Sequence, residues 1–461
     1  MSGRDDGALW SGRFTVPPAR EAAALGRSTR FDLRLLPQDV RASVAHVEAL
    51  RDARLLSDDD ALSLSDALHA VGEQPDLAVD PSDEDVHSVV ERAVIDRLGE
   101  LGERLHAGRS RNDLVITDLR LWMLAAGTRI DARTRELARA LVERAREHTD
   151  TVMPGTTHGR PAQVVTLGHH LCAHAWALTR DLERLTQWAS RSATSPLGAG
   201  ALATSTLGLD AGATATRLGF ARTFENSLDA VSDRDAVQEW LAVLAIMATH
   251  LSRLSADLIR WTDPALGWAC MDDVFSTGSS MMPQKRNPDT AELARAKAAR
   301  VAASFATVTG SLQGLPVGYH RDLQEDKEPA FDAADTLEAV LPALAGAVRT
   351  IRFDPDAMLA ACADEGLYAT DLAEALVGTG VPFREAHRRT GELFRRMEDD
   401  DRALRDLRAD EWIAFGVPEG AALLDPEGSV SARSGPGGPS PASVESQLDA
   451  LAGRLGILDR G

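Results

Sequence analysis

Residues 278–289 read GSSMMPQKRNPD. Pro283 and Pro288 disfavour regular helix here, because each ring fixes φ, removes a backbone donor and pushes the preceding residue toward extended geometry. Asp289 then suits a helix N-cap with Glu292 three residues on, the spacing of a capping box, so a loop is expected to run into a helix. Two readings of the loop stand side by side. In one it is a decorated helix start. In the other, Gly278, Ser279 and Ser280 offer backbone donors and hydroxyls, and Lys285 and Asn287 add a cation and an amide. Such a set suits a carboxylate, or an anion that develops during a reaction. Met281 and Met282 would close such a loop over a substrate and exclude water.

Outward from that loop the chain is helical by pattern. Long helical segments are predicted over 112–148, 164–192, 233–262, 290–313 and 330–351. In the first, Leu114, Leu121, Leu124, Ile130, Leu137 and Leu141 fall near one stripe. The third is apolar on most faces, as suits a helix surrounded by others. Helices of about 25 residues are about 38 Å long and imply an elongated bundle. Hydrophobic residues make up 44% of the chain and aromatics only 5%, a Leu- and Ala-rich balance that favours packed helices over β-sandwiches. The fold class expected is therefore all-α. Shorter helices and the loop QPDLAVDPSDED (74–85) precede residue 110, and a Gly/Pro/Ser-rich loop, EGSVSARSGPGGPSPAS (427–443), follows the bundle. The predicted division is a small helical domain over 1–110, a long-helix domain over 111–355 and a small helical domain over 356–461.

Seventy acidic residues against 50 Lys plus Arg give a formal charge of −20. So acidic a surface repels nucleic acid and anionic membrane, and neither is expected as a partner. An anionic small molecule would need a locally basic pocket. The three cysteines, Cys172, Cys270 and Cys362, form no CxxC pair, which fits a reducing compartment. MSGRDDGALW lacks an apolar leader, and a cytoplasmic location is expected. The most apolar stretch, WLAVLAIMATHL (240–251), is shorter than the ~20 residues a membrane span needs.

Three further stretches carry candidate chemistry. HAGRSRNDLVITD (106–118) clusters Arg109, Ser110, Arg111 and Asn112 before a helix, either as a solvated N-terminus or as a holder for a dicarboxylate. MPGTTHGRPAQ (153–163) sets Thr156 and Thr157 beside His158, a group suited to proton transfer near neutral pH, although a lone histidine is more often structural. GYHRDLQEDKEPAFD (318–332) reads first as a solvated charged face, yet Tyr319, Gln324 and Lys327 are spaced as if aimed at one ligand. His170 and His174 are one helical turn apart beside His169, a spacing that can bind zinc. With no HExxH pattern and no acidic third ligand near in sequence, no metal site is expected there.

The order and spacing of these stretches carry a resemblance. GSSMMPQKRNPD is similar to the signature loop GSSxMPxKxN of the fumarase/aspartase superfamily. LWSGRF (9–14), DEDVH (83–87), GRSRND (108–113), SPLGAGAL (195–202), NSLDAVSDRD (226–235), DLQEDKEPAFD (322–332), VPFREAH (381–387) and GPGGPSPASV (435–444) resemble the argininosuccinate lyase family in particular. The resemblance runs almost end to end, and many collinear motifs make it specific.

It implies an all-α, fumarase/aspartase-like three-domain subunit, a homotetramer with active sites shared between three subunits, and a carbon–nitrogen lyase. The implied reaction is reversible elimination of argininosuccinate to arginine and fumarate, the last step of arginine biosynthesis, with no cofactor and no metal. By that resemblance, Ser279 and His158 share base and acid duty, with Ser279 taken as the base. Lys285 and Asn287 stabilise the aci-carboxylate-like dianion, and Glu292 pairs with the histidine. Asn112, Thr157 and Arg111 hold the succinate part. Ser28, Asp32, Arg234, Tyr319, Gln324 and Lys327 match positions that bind the rest of the substrate, with His87 nearby.

The chain also departs from the family pattern. Where YTHLQ is usual it has Thr156-Thr157-His158-Gly159-Arg160. Ala107 and Leu114 flank GRSRND in place of polar residues, and His320 follows Tyr319 where Asn is usual. Gly159 and Arg160 beside the histidine leave open a lyase that releases fumarate from a different N-substituted aspartate. A non-catalytic homologue, free to lose Ser279, His158, Lys285 or Asn287, fits less well, since all four are present.

Overall fold

The computed structural model describes residues 18–74 and 77–456; LWSGRF (9–14) lies outside the described residues. Five long helices dominate: α1 (Arg111–Arg146), α2 (Leu167–Ser192), α3 (Asp235–Trp261), α4 (Asp289–Leu312) and α5 (Lys327–Thr350). Each lies within a few residues of a stretch whose apolar period predicted it. Among the described residues strands form only three two-stranded pairings, so the chain is all-α.

Three boundaries differ from the sequence reading, each for a local reason. Residues 164–166 belong to a hairpin, Val152–Thr157 (β1) paired antiparallel with Arg160–Thr166 (β2), because the β-branched run Val164-Val165-Thr166 fits a ladder better than a first helical turn. Helix α4 begins at Asp289. The Pro288 carbonyl accepts from the Ala291 and Glu292 amides at 3.0 Å each, so Asp289 is already helical and no Asp289–Glu292 capping box forms. Both acids instead lie in the first turn, against the positive end of the helix dipole. Finally, the supposed loop 427–443 contains most of a short helix, Pro426–Ala432, capped by the Asp425 carboxylate on the amides of Glu427 (3.2 Å) and Gly428 (2.9 Å). Pro426 opens that helix at N1, where its missing N–H would have no partner in any case.

The described chain forms two compact units, and their boundary falls inside all five long helices. Unit 1 comprises residues up to 131, 184–246 and 299–337. Ala42, Ala45, Leu114, Leu121, Leu197, Ala215, Leu218 and Phe220 form one of its cores. Trp188 and Trp240 pack at 4.5 Å between ring centroids, and the Trp188 indole donates to the Ala236 carbonyl at 2.8 Å. Gly127 lies against Trp188, where a Cβ would stand 3.0 Å from the ring.

Unit 2 comprises residues 132–183, 247–298 and 338 onward. In it the hairpin base is buried, with Val152 and Val164 packed on Cys362, Leu367, Tyr368 and Val430. That packing anchors the hairpin and leaves its tip, Thr157–Arg160, exposed. Helix α3 runs to 27 residues, longer than its apolar centre suggested, and by length and composition alone could cross a membrane. Trp240, Leu244, Met247, Leu251, Leu254, Leu258 and Trp261 along it are nevertheless almost wholly buried within the protein.

Candidate active site

In unit 2 the signature loop is closed at its neck and open beyond it. Thr277 and Asn287 exchange two backbone hydrogen bonds, Asn287 to the Thr277 carbonyl at 2.9 Å and Thr277 to the Asn287 carbonyl at 3.2 Å. The Asn287 side chain adds a bond to the Gly278 carbonyl at 3.3 Å. Within the loop, the amides of Met281 and Met282 donate to Ser279 Oγ at 3.3 and 3.1 Å. Two donors on one hydroxyl oxygen favour its deprotonated form, which is what a base needs. Lys285 is exposed and forms no ion pair among the described residues, and Met281 is 87% exposed. The apolar pair that would seal the loop over a ligand faces solvent.

His158 occupies the hairpin tip. His158 and Gly159 are the two residues between the paired Thr157 and Arg160, with φ of 52° and 73°. Two successive positive φ values define a type I′ hairpin turn, where glycine is favoured at the second position. The unusual Gly159 thus has a backbone reason. The fold presents the imidazole at the apex of an anchored, twisted ribbon. One residue pair back, the register shifts between Gly155 and Thr156, and Arg260 donates to Thr156 Oγ1 at 3.3 Å. Glu292 is exposed on the first turn of α4. Among the described residues no hydrogen bond joins His158 to Ser279, Lys285 or Glu292.

Unit 1 holds the other residues, and there the picture is reversed. Ser28 Oγ donates to Asp32 Oδ2 at 2.5 Å, and Asp32 Oδ1 accepts from the Val86 amide at 3.2 Å. Burial raises the Asp32 carboxyl above the usual carboxylate range, although Ser28 and His87 oppose it. Arg111 Nη1 lies 2.9 Å from Glu84 and 3.3 Å from Asp85, while Arg321 reaches Glu84 at 2.6 Å. Arg234 and Lys327 share Asp326, at 2.5 and 3.2 Å, and all three side chains are no more than 3% exposed. Burial pushes the Tyr319 hydroxyl up, so it stays a neutral donor. Gln324 is half-buried on the 3-10 turn Arg321–Asp326, and its carbonyl accepts from Lys327 at 3.5 Å. Asn112 Nδ2 donates to the Ala201 carbonyl at 3.0 Å, which ties the start of α1 to the SPLGAGAL loop. Asp113 reinforces that tie by accepting from the amides of Ser110, Gly198 and Gly200.

His87 turns inward. Its Nδ1 stands 2.5 Å from Asp39 and 3.5 Å from Asp118, with 4% of the side chain exposed. Burial works against its charge, but Asp39 and Asp85 outweigh burial and raise its pKa.

Sequence reading missed Glu84 and Asp326, the carboxylates that hold these cations in place. Both lie inside quoted motifs, DEDVH and DLQEDKEPAFD, yet nothing local marks which acid in an acidic run will meet an arginine from elsewhere. Together the cradle sets Arg111, Arg234 and Lys327 beside Asp32, Glu84 and Asp326. Arg111 and Glu84, partly exposed, can meet a carboxylate and a cationic nitrogen group, whereas Arg234, Lys327 and Asp326 are buried against one another.

A family model described as "Lyase" matches residues 12–303, and one described as "Argininosuccinate lyase C-terminal" matches residues 366–431. Argininosuccinate lyase of Frankia casuarinae is 46% identical, with 98% of each chain covered, and that of Clavibacter michiganensis subsp. michiganensis is 47% identical, covering 98% of this chain and 92% of its own. The chain belongs to the argininosuccinate lyase family. Among solved structures, EDDS lyase in complex with formate superposes with a TM-score of 0.86 at 28% identity, covering 95% of this chain and 89% of that one. An EDDS lyase variant with bound fumarate gives a TM-score of 0.84 at 27% identity, over 96% and 91% of the two chains.

Proposed function

We propose that this protein is a carbon–nitrogen lyase that cleaves argininosuccinate reversibly into arginine and fumarate. The observation that carries the proposal is the full-length likeness to argininosuccinate lyases together with the presence of Ser279, His158, Lys285 and Asn287 on the two exposed loops of unit 2. In the proposed reaction Ser279 removes the Cβ proton, helped by the two amides that already donate to its oxygen. The resulting dianion is a carbanion delocalised into the neighbouring carboxylate, and Lys285 and Asn287 neutralise it. Collapse breaks the Cα–N bond and forms the double bond of fumarate. His158 supplies the proton to the departing guanidine nitrogen, directly or through water. Arg111, Asn112 and Thr157 hold the succinate carboxylates. Asp32, Glu84, Tyr319, Gln324 and Lys327 take up the arginine part, whose guanidinium and ammonium suit the acids of the cradle.

The reading also includes a cytoplasmic homotetramer of three-domain subunits (1–110, 111–355, 356–461) in which three chains complete each site. The exposure of His158, Lys285 and Met281 on the loops of unit 2 supports the shared site, since these side chains are accessible to another chain. A second reading is favoured by Gly159 and Arg160 at the histidine tip and by the likeness to EDDS lyase: the same elimination on a different N-substituted aspartate. Purified protein given argininosuccinate, followed by the ultraviolet absorbance of fumarate, tests both. Rapid release is expected. Fumarate from another N-substituted aspartate alone would favour the second reading, and silence with every such substrate would overturn both.

A further inference from the structure

Outside the residues assigned above, one cluster has both the donors and the spacing of a metal site. His170 and His174 lie one turn apart on α2 and share a face. The sequence offered no acidic partner near them, and on that ground no metal was expected. Folding brings one from α3, within unit 2. Asp257 Oδ2 stands 2.9 Å from Nε2 of His170 and 2.9 Å from Nε2 of His174. The three donor atoms lie within 4.8 Å of one another. Tetrahedral ligands at zinc-like bond lengths sit about 3.3 Å apart; the two His–Asp separations fall a few tenths of an ångström short of that, and the third is bounded by 4.8 Å.

We infer that His170, His174 and Asp257 bind a divalent transition-metal ion of the zinc type and clamp α2 to α3. Two imidazoles and one carboxylate suit zinc, cobalt or nickel, whereas calcium and magnesium prefer sets made wholly of oxygen. The side chains are 28%, 13% and 30% exposed, which gives an ion an entry path and leaves a fourth position for water. Trp261 packs edge-on against His170 at 4.9 Å between centroids and restricts its rotation. In the present arrangement one carboxylate oxygen accepts from both Nε2–H groups. An ion takes the place of those two protons, each neutral ring moving its proton from Nε2 to Nδ1. Arg253, one turn before Asp257 on α3, is exposed and free to swing toward solvent as an ion enters.

The interior trio Asp39, His87 and Asp118 has similar spacing and does not qualify. Its side chains are at most 4% exposed, leaving no water ligand and no path. Burial and the neighbouring Asp39 also raise the Asp118 carboxyl well above its usual range, which makes it a poorer ligand.

The test uses the full-length protein, freed of metal by a chelator and titrated with Co²⁺ as an optical probe. The expected result is visible absorption of four-coordinate cobalt at one ion per chain, lost when Zn²⁺ is added. Asp257→Asn and His174→Gln, each checked for native circular dichroism, should weaken Co²⁺ by more than the ~10-fold that loss of an outer-shell partner costs. Zn²⁺ should raise the melting temperature of the native protein and not of the variants. Absence of the cobalt bands, or equal affinity in a folded variant, overturns the inference. If one variant fails to fold, His170→Gln on the more exposed ring serves the same purpose. None of these readouts depends on lyase activity, so they stand apart from the fate of the proposed reaction.

Discussion

The two halves of the candidate chemistry are built on opposite principles. In unit 1 the charged residues are sunk and spoken for: Arg234, Asp326 and Lys327 form a buried ionic trio, and Arg111 is held by Glu84 and Asp85. In unit 2, His158 and Lys285 stand exposed, and Ser279 touches only its own loop. Buried ions must be paired, because desolvating an unpaired charge costs more than folding can supply. Exposed loops are free of that demand and can wait for a ligand or another chain to complete them. On the proposed reading, binding is prepared in the folded chain, whereas catalysis is left to be assembled.

The sharpest break of this contrast is Ser279→Ala. Turnover should fall by about two orders of magnitude or more, as expected when a proton-transfer group is lost, with the melting temperature unchanged. A large loss of thermal stability would mean that the loop is structural after all.

Asp326→Asn probes the other half. It leaves Arg234 and Lys327 buried without their shared carboxylate, and stability measured by denaturant unfolding should drop by about 3–5 kcal/mol. Unchanged stability would show that the trio is not a prebuilt frame.

Unit 1 also holds an acid-sensitive group. His46 is almost wholly buried, with Nε2 2.9 Å from the Ala107 carbonyl, and burial together with Arg109 lowers its pKa to about 3. Its folded pKa lies below the unfolded value, so the neutral ring contributes stability fully above about pH 6.5. That contribution is lost as pH falls toward 3, at about 1.4 kcal/mol per pH unit. His46→Gln should flatten the acid limb of a plot of melting temperature against pH. An unchanged slope would assign acid sensitivity to other groups.

The smallest effect is expected at the hairpin tip. Gly159→Leu restores the residue usual in the family at a φ of 73°, and the strain should cost about 1–2 kcal/mol, confined to the tip. Faster hydrogen exchange at Thr157–Arg160 and a modest fall in turnover, with the global melting temperature kept, would show that His158 depends on its turn. No change in exchange would mean that the tip has room to adjust.

The sequence by itself determined the long helices, because a 3.6-residue period of Leu and Ala is written locally and needs no partner to be read. It also determined the proline-bounded loop and the family motifs, since spacing along the chain is itself the signal. Only the tertiary structure decided which acid meets which base. Asp326 finds Arg234 across 92 positions, and Asp257 reaches His170 across 87. No local pattern encodes such pairings, because Coulomb and hydrogen-bond energies depend on distance in space. The positive φ of His158 belongs to the same class. It is a property of the two-residue turn that the register of β1 and β2 imposes, and it decides where the imidazole points from an exposed, anchored tip.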